Sequence, residues 1–168
     1  MRASDGGDLK PLTIPPDGMA DLPGDYSSTG QYVFKRAVGE EAAGLLMLVD
    51  TSGGEPRPIS TRLYGDPGRF SPDGASVLTS ANGHIVIVDL QGKVLQEIHE
   101  TGAVLFGPAW SPDGTRIAFS RATNGPFADI FTSLPDGTDR RQVTTTPANE
   151  IAVEWGTGDL APSQKETQ

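Results

Sequence analysis

One phrase is written twice in this chain, and it constrains everything else. Residues 107–121 read GPAWSPDGTRIAFSR. The spelling is that of two short strands joined by a tight turn, Ser111-Pro112-Asp113-Gly114. Pro112 has φ preset for the second position of a type I turn and Asp113 suits the third. Gly114 takes the left-handed conformation at no steric cost, and Ser111 can accept a bond that closes the turn. Ile117 and Phe119 then alternate with polar neighbours, as in a half-buried strand. The phrase recurs as Phe70-Ser71-Pro72-Asp73-Gly74 and, degraded, as Tyr26-Ser27-Ser28-Thr29-Gly30. Trp155 before Gly156 begins it once more. The aromatics stand at 26, 70, 110 and 155, at intervals of 44, 40 and 45 residues.

Between these marks the chain alternates apolar stretches with Gly, Pro and Asp turns. The expected repeats lie near 22–61, 65–99 and 104–145, each with four strands. The runs at 45–49 and 84–89 are almost wholly apolar and predict strands covered on both faces. Four antiparallel strands per 40–45 residues is the unit of a propeller blade, which must stack on neighbours to cover its faces. The expected fold is therefore all-β, a β-propeller arc of about three complete four-stranded blades with a partial blade at each end. It spans residues 1–158 and is followed by a polar tail at 159–168, expected to be disordered. The partial blades are lone strands at 8–13 and 151–155, which brings the expected count to 14. With those lone strands, two copies joined head to tail would leave a gap at each junction. The arc is expected to continue upstream, to expose apolar faces at both ends and to self-associate. Each aromatic, Tyr26, Phe70, Trp110 and Trp155, is expected to wedge between blades, with Trp110 largely buried. Gly74 and Gly114 are expected at positive φ.

Composition narrows the function classes. Thirteen basic against 22 acidic residues leave a net charge of −9, with no run of like charges, which disfavours nucleic acid and anionic membrane. There is no cysteine, so disulfides, thiolate chemistry and cysteine-ligated metals are excluded. No apolar run is long enough to insert in a membrane, and MRASDGGDLK has no secretory h-region. With Met1 as the start, the chain would remain cytoplasmic.

The repeat resembles the TolB-type propeller repeat, whose core runs roughly P-x-W-S-P-D-G-x-x-I-x-F. Pro108, Trp110, Ser111, Pro112, Asp113, Gly114, Ile117 and Phe119 match it throughout. Phe70, Ser71, Pro72, Asp73, Gly74 and Val77 match most of it, and the first copy departs at Ser28-Thr29. The resemblance covers most of residues 8–158. It implies a bacterial propeller that binds protein, in the periplasm or another extracytoplasmic space. In the family's best-known role the partner is a peptidoglycan-associated lipoprotein of an envelope complex.

Catalytic constellations are sparse. The Gly-x-Ser-x-Gly elbow of a serine hydrolase is missing, and so are nucleotide-binding glycine loops. His84 and His99 are the only histidines, too few for a three-histidine zinc site, although a two-histidine site with Glu100 is stereochemically open. The Asp-Gly pairs lack EF-hand spacing, and turn formation explains them. No cofactor and no metal are expected. The candidate binding surface is the loop face, made of the blade-to-blade connections and the loops from second to third strand. Its candidate residues are Glu40, Glu41, Arg62, Tyr64, Asp66, Glu100, Asn124 and Glu150. Tyr26, Phe70, Pro72, Asp73, Gly74, Trp110, Pro112, Asp113, Gly114 and Trp155 are assigned structural roles. The leading expectation is a non-enzymatic scaffold that docks a protein or peptide on that face. The alternative is a propeller portion of a prolyl oligopeptidase-type hydrolase, or of another enzyme, with its catalytic part elsewhere.

Overall fold

The computed structural model describes residues 11–39, 43–125, 127–151 and 154–156. Within them twelve strands and no helix form. The first blade is β1 (Met19–Tyr26), β2 (Gln31–Val38), β3 (Gly44–Asp50) and β4 (Arg57–Tyr64). The second is β5 (Arg69–Phe70), β6 (Ser76–Ala81), β7 (His84–Asp89) and β8 (Val94–Ile98). The third is β9 (Val104–Trp110), β10 (Ile117–Ala122), β11 (Ala128–Ser133) and β12 (Arg141–Gln142). Each blade is one antiparallel sheet with its strands in chain order, the arrangement of a partial propeller.

The turn chemistry works as spelled. Gly74 N–H donates to the Ser71 carbonyl at 2.8 Å and Gly114 N–H to that of Ser111 at 2.9 Å. Each serine hydroxyl donates to the aspartate two residues on, at 2.6 Å (Asp73) and 2.7 Å (Asp113), and accepts the N–H of Ser76 or Arg116. Gly74 and Gly114 have φ of 72° and 70°. The degraded copy keeps the same lock. Thr29 takes the aspartate's place, 2.9 Å from Ser27 Oγ, which accepts the Gln31 N–H at 2.9 Å.

Both faces of the middle strands are buried. In β7, Val86 and Val88 join Val33, Leu46, Leu48 and Phe70 in a core between the first two blades. Ile85 and Ile87, on the opposite face, join Leu78, Leu105, Ile117 and Phe119 between the second and third. Burying side chains of this size contributes about 1.5–3 kcal/mol each. A third cluster, Phe34, Met47 and Val49, lies on the outer face of the first blade, with Leu12 packed over it. Gly68 leaves room for Val77 of its own blade: a Cβ there would meet Val77 Cγ1 at 2.3 Å, with Val33 and Leu46 of blade one next at 3.3 and 3.5 Å.

Two expectations fall partly outside the described residues: of the lone strands at 8–13 and 151–155, residues 8–10, 152 and 153 are not described, and 11–13, 151, 154 and 155 lie in no strand. The tail at 159–168 lies outside the described residues. Phe70 is buried as a wedge, but Tyr26 is 52 % exposed, because each aromatic faces the preceding blade and no blade precedes the first among the described residues. Trp110 is only half-buried, at the edge of the second core, and Trp155 is likewise half-buried.

The wholly buried ring of this core is therefore Phe119, which is 0 % exposed. Phe119→Ala should cost about 3–5 kcal/mol and Trp110→Ala clearly less. Urea melts of the two variants check the ranking, and a larger loss for Trp110 would place the wedge wrongly.

Candidate docking face

Antiparallel order brings the ends of β2, β4, β6, β8 and β10 to one end of the arc, with the starts of the strands that follow them. Two ion-pair groups stand there, one across each blade boundary. Arg62, near the end of β4, donates to both Glu97 oxygens, at 2.8 and 3.2 Å. His84 Nδ1 lies 3.0 Å from the same Oε1, and the His84 and His99 rings are 5.5 Å apart. Glu100, in the connection to the third blade, accepts Arg121 on both oxygens and Arg140 at 2.8 Å. Arg121 also lies 5.2 Å from the centre of the Phe131 ring.

These contacts set the charge states. Bonds from Arg62 and His84 hold the Glu97 carboxyl down to about 2. Arg121 holds Glu100 below the usual carboxylate range, with Arg140 adding to it. The pairs are part-exposed, so each is worth about 0–1 kcal/mol. Their effect is to fix the pattern of charge presented to a partner.

Nearer the inner strands, Asp66 accepts the Ser80 hydroxyl at 2.5 Å and the Gly107 N–H at 2.8 Å. Lys35 is 5 % exposed, donates to the Gly65 carbonyl and is pushed down by burial. Asp66 lines a cleft of about 370 Å³ with Arg69, Leu78, Gly107, Pro108 and Glu154.

The expected residues are thus partly brought together. Arg62 and Glu100 belong to the ion-pair groups and Asp66 to the cleft. Asn124 is exposed in the β10–β11 loop. Glu150 donates its N–H to the Ala128 carbonyl and accepts the Thr146 hydroxyl, folding the last connection onto the third blade. Glu40 and Glu41 lie outside the described residues. Tyr64 is corrected: β4 runs to residue 64, so its ring follows strand alternation into the first core and is 0 % exposed, with its hydroxyl 3.1 Å from Ser60.

Sequence reasoning missed the apolar members of this face. Met19, Val38, Leu63 and Val104, at or next to strand ends, and Phe127 and Ile151, in the loops, are each 42–56 % exposed. The available signal was an apolar residue at or just outside a strand end, beyond the alternation that fills the core. Glu97, Arg121 and Arg140 were also missed, because their pairing crosses blades. Both histidines sit by Glu97 and Glu100, yet no group of three or more metal-ligating side chains forms among the described residues.

Three sheets stacked in this order define an arc of a β-propeller. No family model matches the chain. Over 94 residues it is 32% identical to the Tol-Pal system protein TolB of Methylococcus capsulatus, a match covering 53% of this chain and 22% of that protein. It superposes on a putative TolB from Agrobacterium tumefaciens with a TM-score of 0.61 at 24% identity, over 75% of this chain and 47% of that one. A structure of prolyl endopeptidases also superposes, with a TM-score of 0.59 at 15% identity, over 84% of this chain and 25% of that one. The chain therefore spans at most about half of these relatives, and the sequence and structural likenesses together support a TolB-like propeller.

The Glu97 arrangement sets an acid limit on stability. Its folded carboxyl titrates near 2 against an ordinary value of 4.5, so its contribution is present above 4.5 and is lost as pH falls toward 2. Urea midpoints measured through that window should fall for the wild type. Glu97→Gln should be less stable at neutral pH and should flatten the fall; an unchanged slope would remove Glu97 from the network.

Proposed function

We propose that this chain is a non-catalytic, TolB-like propeller module that docks a protein partner on its loop face. The observation that carries this reading is the make-up of that face. Exposed apolar residues such as Leu63, Val104 and Phe127 alternate with charges already oriented by their neighbours. Protein interfaces combine apolar anchors with polar groups whose geometry is preset, which lowers the cost of ordering them on binding. The serines of the hairpin turns are engaged with their own turn aspartates or threonine, which suits structure rather than nucleophilic attack. The likeness to TolB supports a periplasmic setting and a partner of the Tol-Pal kind.

The test uses the soluble domain of a peptidoglycan-associated lipoprotein from a TolB-bearing bacterium, immobilised and titrated with this chain. Saturable binding is expected. Leu63→Asp and Arg62→Glu should each weaken it about tenfold or more. No saturable binding, or binding indifferent to both substitutions, would reject this face and this partner class.

A serine-directed fluorophosphonate probe should leave the chain unlabelled. Stoichiometric labelling at any serine would overturn the non-catalytic reading.

A further inference from the structure

Two Asn-Gly dipeptides occupy the same place in successive blades, the loop from second to third strand on the docking face. They are Asn82-Gly83 between β6 and β7, and Asn124-Gly125 between β10 and β11. The pair carries a chemistry of its own. Glycine has no side chain to shield its backbone nitrogen, which can attack the amide carbon of the preceding asparagine and close a five-membered ring. Closure requires the asparagine Cβ and the glycine nitrogen to lie on the same side of the Cα–C bond. Backbone conformation, more than exposure, therefore decides whether such a pair reacts.

The two loops differ in that respect, although both asparagines are exposed. Asn82 and Gly83 have φ of 54° and 78°, the two left-handed residues of a type I′ turn. In that turn the asparagine Cβ is held nearly opposite the next nitrogen. Ala81 pairs with His84 to close it, the Gly83 carbonyl accepts the Leu105 N–H at 2.8 Å, and a Cβ on Gly83 would meet Val104 Cγ1 at 3.3 Å. Rotating the turn would disturb all three contacts. At the other site the ladder stops at Ala122 and Ala128, which leaves an open loop at 123–127. Asn124 does not share the left-handed φ of Asn82, and a Cβ on Gly125 would meet only Thr123 Oγ1, at 3.9 Å, among the described residues. The Asp-Gly hairpins are held as well. The N–H groups of Ala75, Thr115 and Thr138 draw the carboxylates of Asp73, Asp113 and Asp136 past the glycine.

We propose that Asn124 is a self-modification site on the docking face, and that the fold protects Asn82. The Gly125 nitrogen forms a bond to Asn124 Cγ, the Cγ–Nδ2 bond breaks, and ammonia leaves with the proton of the Gly125 N–H. Water then opens the ring at either carbonyl, giving aspartate or isoaspartate. No oxidant or cofactor takes part. Each product places a new carboxylate in the loop that carries Phe127, which is 44 % exposed, and isoaspartate also lengthens the loop backbone by one carbon. A charge beside an apolar anchor must lose water when a partner covers it, so conversion weakens docking. That consequence rests on the docking reading; the chemistry does not.

Incubation of the folded chain at mildly alkaline pH, read by peptide mass spectrometry and by isoaspartyl methyltransferase labelling, tests the chemistry on the protein alone. Asn124 should gain one mass unit and yield the β-linked product, while Asn82 stays intact. In guanidinium both should convert at similar rates, because the turn that guards Asn82 is gone. Asn124→Gln should abolish the product at that position, since the longer side chain would have to close a six-membered ring. An unmodified Asn124, or equal conversion of the two asparagines in the folded chain, would overturn the proposal. The converted form, separated by ion exchange, should bind the lipoprotein domain about tenfold more weakly than fresh chain. Equal binding by the two forms would remove the effect on docking. Failure of the fresh chain to bind would reject the docking reading, and with it this consequence, but not the modification.

Discussion

Everything in this molecule depends on covering sheets that are apolar on both sides. A strand such as β7 sends Val86 and Val88 one way and Ile85 and Ile87 the other, and all four are buried. No single sheet can satisfy such a strand, since at least one face would remain in water. Stacking is the solution, and it makes the blade boundary the unit of stability. The same demand explains the two outer faces. Leu12 packs over Phe34, Met47 and Val49 on the first, and the connection through Glu150 folds back on Ala128 and Ser120 of the last.

Stacking also decides where polarity goes. Inside the boundaries, polar groups are admitted when their bonds are made. Lys35 reaches the Gly65 carbonyl, and Asp66 is held by Ser80 and by Gly107 of the third blade. At the strand ends the same boundaries bring opposite charges from successive blades within reach. Arg62 finds Glu97 across the first boundary and Glu100 finds Arg121 across the second. Such pairs add little stability in water, but they hold a charge pattern between exposed apolar residues. Rigid strands below and preset groups above are what the proposed docking role requires of this face.

Much of the fold was legible in the residues because it rests on local rules. The Ser-Pro-Asp-Gly turns, their positive-φ glycines and the strands between them follow from turn chemistry and period-2 alternation, which need no knowledge of neighbours. Even the degraded turn at 27–30 kept its hydrogen bonds, because threonine can stand in for aspartate as the partner of the serine hydroxyl. The site was less legible. Arg62, Asp66 and Glu100 were picked out as loop-face residues, but Tyr64 was misplaced because β4 ran three residues further than its alternation suggested.

The sequence by itself determined four-stranded repeats, their turns and the need for stacking, since each is a property of a residue and its near neighbours. Tertiary structure alone decided which way the wedges lean. That choice buried Phe70, left Tyr26 half in water and left Trp110 at a core's edge. It alone decided the ion pairs as well. Glu97 lies 35 residues from Arg62, and Arg140 lies 40 from Glu100. No pattern within one repeat records which charges will meet when a second repeat is packed against it.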